Sequence, residues 1–129
     1  MTTILCVEDN ETNAFLISRV LRRAGFEVLV ARDGEEGVEM AKSTRPGLIL
    51  MDLTLPGIDG LEATRRIKAA PETETIPVVA LSAHSEDEKA AQARAAGCAD
   101  YAGKPLDLRA LLTTIQTLLP PHNPPPQAA

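Results

Sequence analysis

The chain has 129 residues, a formal net charge of −5, and 44% apolar but only 2% aromatic residues. A chain of this length is one domain that buries roughly two-thirds of its unfolded surface, enough to fold without a disulfide or structural metal. The acidic balance argues against a nucleic-acid surface, which needs clustered Lys and Arg, and against docking on anionic lipid.

Cys6 stands in an apolar run and reads as a small buried hydrophobe; Cys98 follows Gly97 near a helix end. Two cysteines make neither a disulfide framework nor a metal-ligand spacing. The opening Met1-Thr2-Thr3 has no basic leader region, and no apolar run approaches the ~18 residues of a membrane span. The expectation is a cytoplasmic protein with reduced thiols and no membrane partner.

Short apolar runs alternate with amphipathic stretches. Thr3–Val7 predicts a strand, followed by a helix over Glu11–Ala24 with Leu16, Ile17, Val20, Leu21 and Ala24 on one face. Gly25 is placed to end it. Glu27–Ala31 predicts the second strand, Asp33-Gly34 a turn, and Glu35–Thr44 a helix with Val38 and Ala41 inward. Gly47–Met51 is a continuous apolar run, as in a strand buried on both faces. A turn-rich loop over Leu53–Gly60 precedes a helix over Leu61–Ala69. Ile76–Leu81 predicts the fourth strand, with Pro77 confined to its start because proline cannot donate to a central ladder. Ser85 and Glu88 form a capping-box pair opening an Ala-rich helix to Ala96, closed by Gly97. Asp100–Ala102 predicts a fifth strand, and Asp107 caps a helix carrying Leu111, Leu112, Ile115, Leu118 and Leu119.

This alternation predicts an α/β, doubly wound (βα)5 domain over residues 1–119, with a five-stranded parallel sheet and helices on both faces. The flavodoxin-like strand order 2-1-3-4-5 is the expectation at this length. Pro120–Ala129 has no apolar periodicity and reads as a Pro-rich disordered tail or linker.

Ligands of such sheets sit beyond the carboxyl ends of the strands. Glu8-Asp9-Asn10 follows the first strand, Asp52 the third, Ser82-Ala83 the fourth, and Gly103-Lys104-Pro105 the fifth. Three gathered carboxylates repel one another, and a divalent cation resolves the repulsion; an oxygen-only donor set suits Mg²⁺ or Mn²⁺. Each motif also has a plainer reading. Glu8-Asp9-Asn10 is a sound acidic N-cap, Ser82 suits a turn, and a lone Lys104 or His84 is ordinarily a surface charge. Those readings leave Asp52 unexplained, since an apolar strand delivering a carboxylate to a sheet edge is costly without a partner.

The stretches Val7-Glu8-Asp9-Asn10, Leu50-Met51-Asp52-Leu53, Leu55-Pro56-Gly57-Ile58-Asp59-Gly60, Leu81-Ser82-Ala83 and Lys104-Pro105 together resemble the receiver domain of bacterial response regulators. Within that family the chain is most similar to single-domain cell-division regulators of the DivK kind. The resemblance spans Thr3 to Leu119. It implies a two-component phosphorelay switch that accepts a phosphoryl group from a histidine kinase or histidine phosphotransfer protein onto Asp52. Such a domain catalyses its own aspartyl phosphorylation and dephosphorylation and is not otherwise an enzyme. Asp9, Asp52 and the backbone carbonyl of Thr54 would ligate Mg²⁺, and Glu8 would act through water. Lys104 would hold one phosphoryl oxygen and Ser82 another. Tyr101 matches the aromatic switch residue, and the Lys104-Pro105 bond matches one that is cis in the family. The face of the fourth helix, fifth strand and fifth helix would then bind a downstream effector protein.

Some positions depart from the pattern. Ser82 is often Thr in the family, Ala102-Gly103 is smaller than usual, and His84 lies two residues beyond Ser82. An FMN-binding flavodoxin would need a phosphate loop where Glu8-Asp9 stands, and an aspartate-nucleophile phosphohydrolase would need a second Asp where Thr54 stands. A receiver cut from a hybrid kinase or multidomain regulator is the alternative to a single-domain regulator, which is the expectation.

Overall fold

The computed structural model describes residues 2–82, 87–103 and 107–119. Ten elements alternate: β1 (Thr3–Val7), α1 (Glu11–Arg23), β2 (Glu27–Ala31), α2 (Gly34–Thr44), β3 (Leu48–Asp52), α3 (Gly60–Ala69), β4 (Val78–Ser82), α4 (Asp87–Ala96), β5 (Asp100–Gly103) and α5 (Leu108–Leu118). The strands form one parallel sheet in the order β2-β1-β3-β4-β5. The predicted fold and strand order are therefore those observed. The order reverses between β1 and β3, and ligands of doubly wound sheets collect at that point.

Two apolar layers follow from the two-residue period of the strands. Leu5, Val7, Ile49, Met51, Val78 and Ala80 face α2, α3 and α4, where Val38, Ala41, Ala63, Ile67, Ala93 and Ala96 meet them. Ile4, Cys6, Leu48, Leu50, Val79 and Leu81 face α1 and α5, against Ile17, Leu21, Leu111 and Ile115. With Trp absent and Phe present only twice, these layers are aliphatic, as the composition requires. Cys6 is buried, as read from sequence, and Cys98 is buried as well.

Side-chain caps start the helices. Asn10, Asp33, Asp59 and Asp107 each accept from a backbone amide in the first turn of α1, α2, α3 and α5. Gly25, at φ +98, leads the chain out of α1.

Several boundaries move. Leu16 and Ala24 are exposed, and the inward face of α1 is Ala14, Ile17, Ser18 and Leu21. Hydrophobicity mis-assigned that face because two of its members, Ala14 and Ser18, are small and weakly apolar. Ala24 is the C-cap, already turning away from the sheet. Helices α2 and α3 each begin one residue early, at glycines. β4 starts at Val78; Pro77 stays outside the strand yet its carbonyl accepts from Ile49 N at 3.0 Å. β3 runs from Leu48 through Asp52, so the carboxylate ends the strand and does not follow it. β5 extends to Gly103. The capping pair at Ser85 and Glu88, and the tail from Pro120, lie outside what the structure describes.

Candidate metal and phosphoacceptor site

The site begins with strand ends. β1 delivers Glu8: its amide extends the β1–β2 ladder by donating to Ala31 O at 3.0 Å. Asn10 performs the capping of α1, its Oδ1 accepting from Asn13 N at 2.9 Å. Glu8 Oε2 accepts from Asn10 N at 3.2 Å. A plain acidic cap thus explains Asn10, and leaves Asp9 and Glu8 available to the rim.

β3 delivers Asp52. Its Cα pairs with Leu81 of β4, and the ladder continues through Leu53 N to Leu81 O at 2.8 Å. Asp52 is only 3% exposed, and its Oδ1 accepts from Thr54 N at 2.9 Å. That bond folds the 52–54 backbone around the carboxylate. Each of Glu8, Asp9 and Asp52 places a carboxylate oxygen within 4.8 Å of the others; Glu8 and Asp52 are buried and Asp9 is exposed. At that spacing two buried anions repel by on the order of 3 kcal/mol for an effective dielectric near 20. The cluster could hold a cation. Its donors are all oxygens, from a small number of protein groups, and fit a hard divalent ion that keeps several waters.

The loop after β3 owes its path to one close approach. A Cβ on Gly60 would lie 2.2 Å from Asp52 O and 2.7 Å from Leu53 Cα, both backbone atoms that cannot move aside. Gly60 N donates to Leu53 O at 3.2 Å. Only glycine lets the first turn of α3 rest on the carbonyl of Asp52. The sequence reading gave Gly60 no role of its own; the signal was a glycine at a helix start, directly after a capping aspartate.

Ser82 ends β4 fully buried, beside Asp52's strand. Tyr101, on β5, is half-buried and packs on the layer that contains α3 and α4. Its hydroxyl is enclosed with no hydrogen-bond partner among the described residues. Lys104 with the Lys104-Pro105 bond, and His84, lie outside the described residues. The guanidinium of Arg32 pairs with exposed Glu11 at 3.2 Å.

With this geometry in place, the comparisons are direct. Residues 4–116 match the model of the response regulator receiver domain. The chain belongs to that family: it is a receiver domain of two-component signal transduction. Among its relatives, the protein PilH of Pseudomonas aeruginosa is 34% identical over 92% of this chain and 98% of its own length. The polar-differentiation response regulator DivK of Brucella anthropi is 36% identical over 91% of this chain and 95% of its own. The resemblance to regulators of the DivK kind stands. Among solved structures, the receiver domain of a sensor histidine kinase from Pseudomonas aeruginosa superposes with TM-score 0.84 at 36% identity, covering 90% of this chain and 95% of that one; it holds a magnesium ion coordinated in its active-site cleft. The receiver domain of the Saccharomyces cerevisiae response regulator Ssk1, solved with the histidine phosphotransfer protein Ypd1, superposes with TM-score 0.84 at 31% identity over 89% of this chain and 86% of that one. Among the described residues no helix is long and apolar enough to cross a membrane.

Proposed function

We propose that Asp52 accepts a phosphoryl group from a phosphohistidine of a sensor kinase or histidine phosphotransfer protein, with Mg²⁺ bound by the acids beside it. The observation that carries this reading is the meeting of Glu8, Asp9 and Asp52 within 4.8 Å at the rim of the sheet. Asp52 is the acceptor: it ends the central strand, Thr54 N donates to its Oδ1 at 2.9 Å, and a carboxylate oxygen attacks.

In transfer, that oxygen forms a bond to phosphorus while the phosphorus–nitrogen bond to the donor imidazole breaks and its electron pair returns to the ring. The product is an aspartyl phosphate. Water attacking the same phosphorus breaks the new oxygen–phosphorus bond and restores the carboxylate, so the domain catalyses both its loading and its unloading. A bound Mg²⁺ supplies compensation for charge spread over the equatorial phosphoryl oxygens. Asp9, Asp52 and the Thr54 carbonyl would hold it directly, and Glu8 would act through water. Mn²⁺ meets the same oxygen donors.

Lys104 binds a phosphoryl oxygen by the family resemblance, and the Ser82 hydroxyl binds another. Drawing Ser82 toward Asp52 opens space that Tyr101 fills. The face of α4, β5 and α5 changes shape and engages a downstream protein. The cytoplasm, where kinase and phosphodonor occur, is the working compartment.

Acetyl phosphate with Mg²⁺ tests the reading. The intact mass rises by one phosphoryl group, and Asp52→Asn abolishes the rise. An unchanged mass gain in Asp52→Asn would refute it.

A further inference from the structure

The site described so far is held from the front by its acids. The structure also shows what holds it from behind. Gly60, Thr64 and Lys68 are spaced i, i+4, i+8 and so lie along one side of α3. At the upper end, Gly60 rests on the carbonyl of Asp52 so closely that a Cβ does not fit. One turn on, Thr64 is fully buried and its Oγ1 donates to Gly60 O at 2.7 Å. The same Oγ1 accepts from the Cys98 thiol at 3.9 Å, from the turn between α4 and β5. At the lower end, the stem of Lys68 lies under Gly97, whose added Cβ would meet Lys68 Cγ at 2.8 Å. Lys68 Nζ donates to Glu74 O at 3.1 Å and to Ile76 O, the carbonyls that lead into β4.

We infer that Thr64 is a positioning residue for the Asp52 site, holding the first turn of α3 against the acceptor's backbone while Lys68 fixes the other end of the helix. A hydroxyl bonded to the carbonyl four residues back tips that carbonyl and bends the helix locally. Here the tipped carbonyl belongs to the residue touching Asp52 O. A shift of a few tenths of an ångström at Gly60 is therefore felt by the 52–54 backbone, whose Thr54 N and carbonyl orient the Asp52 carboxylate and complete the metal ligands. The Thr64 hydroxyl cannot be replaced by water, since the site is fully enclosed.

This inference rests on the reading of Asp52 as the metal-binding acceptor, so its test begins with wild type. Mg²⁺ is titrated into the whole chain while the amide resonances of residues 52–54 are followed. Thr64→Val keeps the shape and removes the donor; it weakens Mg²⁺ binding about fivefold, the scale of one buried hydrogen bond. Thr64→Ser, which restores the hydroxyl, stays within about twofold of wild type. A merely structural hydroxyl lowers the melting temperature and leaves Mg²⁺ affinity unmoved, and that result in Thr64→Val overturns the inference. No Mg²⁺ response in wild type overturns the reading of the site as well. Should Thr64→Val fail to fold, Lys68→Met takes its place. It keeps the stem over Gly97, removes both carbonyl bonds and weakens Mg²⁺ about fivefold, with affinity within about twofold of wild type again the overturning result.

Discussion

β3 and β2 are parallel strands of five residues, one in the middle of the sheet and one at its edge. All five residues of β3 are buried, and it ends in Asp52. β2 is half-open, and the residue after it, Arg32, is exposed. Arg32 N donates to Glu36 Oε1 at 2.6 Å, and Arg22 Nη2 donates to Val28 O at 3.2 Å, so side chains occupy the outward backbone groups of the edge. Both strands reach the same rim with a charged residue. Only the central one brings its charge among other acids; the edge one gives its charge to a surface pair. Position in the sheet decides which charge becomes chemistry.

The comparison breaks most severely at Gly60. Gly60→Ala forces a Cβ onto the Asp52 carbonyl and costs about 3 kcal/mol or more of stability, read by urea unfolding. A change below about 1 kcal/mol would show that α3 can retreat from β3 freely. Matched truncations sharpen the contrast within the strands. Leu50→Ala, at a fully buried site on β3, costs about 2–5 kcal/mol. Leu29→Ala, partly buried on β2, costs about half as much or less by the same measurement. Equal losses would mean that the edge is as tightly packed as the centre.

Asp9→Asn removes one anion from the rim and weakens Mg²⁺ about tenfold in the same amide titration, whereas Arg32→Ala leaves Mg²⁺ affinity within about twofold. Arg32→Ala also changes stability by less than about 0.5 kcal/mol, because its partner Glu11 is exposed.

The lower end of α3 offers a pH test of smaller size. Burial lowers the Lys68 ammonium from its ordinary 10.5, while the nearby Cys98 and Glu74 oppose the shift. Burial raises the Cys98 thiol above its ordinary 9.0, against the Thr64 bond and Lys68. Above its lowered value, folded Lys68 has released a proton that the unfolded chain keeps, so stability rises with pH until 10.5. Above 9.0, unfolded Cys98 has ionised while the folded thiol has not, so stability falls. The two slopes oppose. Cys98→Ala removes the falling arm, and its urea midpoint therefore drops less than that of wild type between pH 8 and pH 10; an identical drop would place Cys98 in ordinary solvent.

Much was legible before any coordinates. GLILM reads as a strand buried on both faces, of which Leu48–Met51 lie in β3, and an Asp at its end demands compensation. Asp107 and Gly25 announced helix ends through local backbone chemistry. Alternation of the two periods then required a parallel sheet. The misread face of α1 has a tertiary cause. Leu16 faces out and Ser18 in because a helix face is chosen by where the sheet lies, which periodicity cannot locate to within one residue.

Sequence by itself therefore determined the elements, the cap at Asp107 and the residue types gathered at the rim, since these follow from local propensity and from the cost of burying charge. Tertiary structure set the 4.8 Å separation at which Glu8, Asp9 and Asp52, expected together from sequence, meet. It also decided that Gly60 touches Asp52 and that Thr64 and Lys68 stand behind it. Those are distances between atoms far apart in the chain, set by how the helices pack on the sheet, and no pattern of neighbouring residues encodes them.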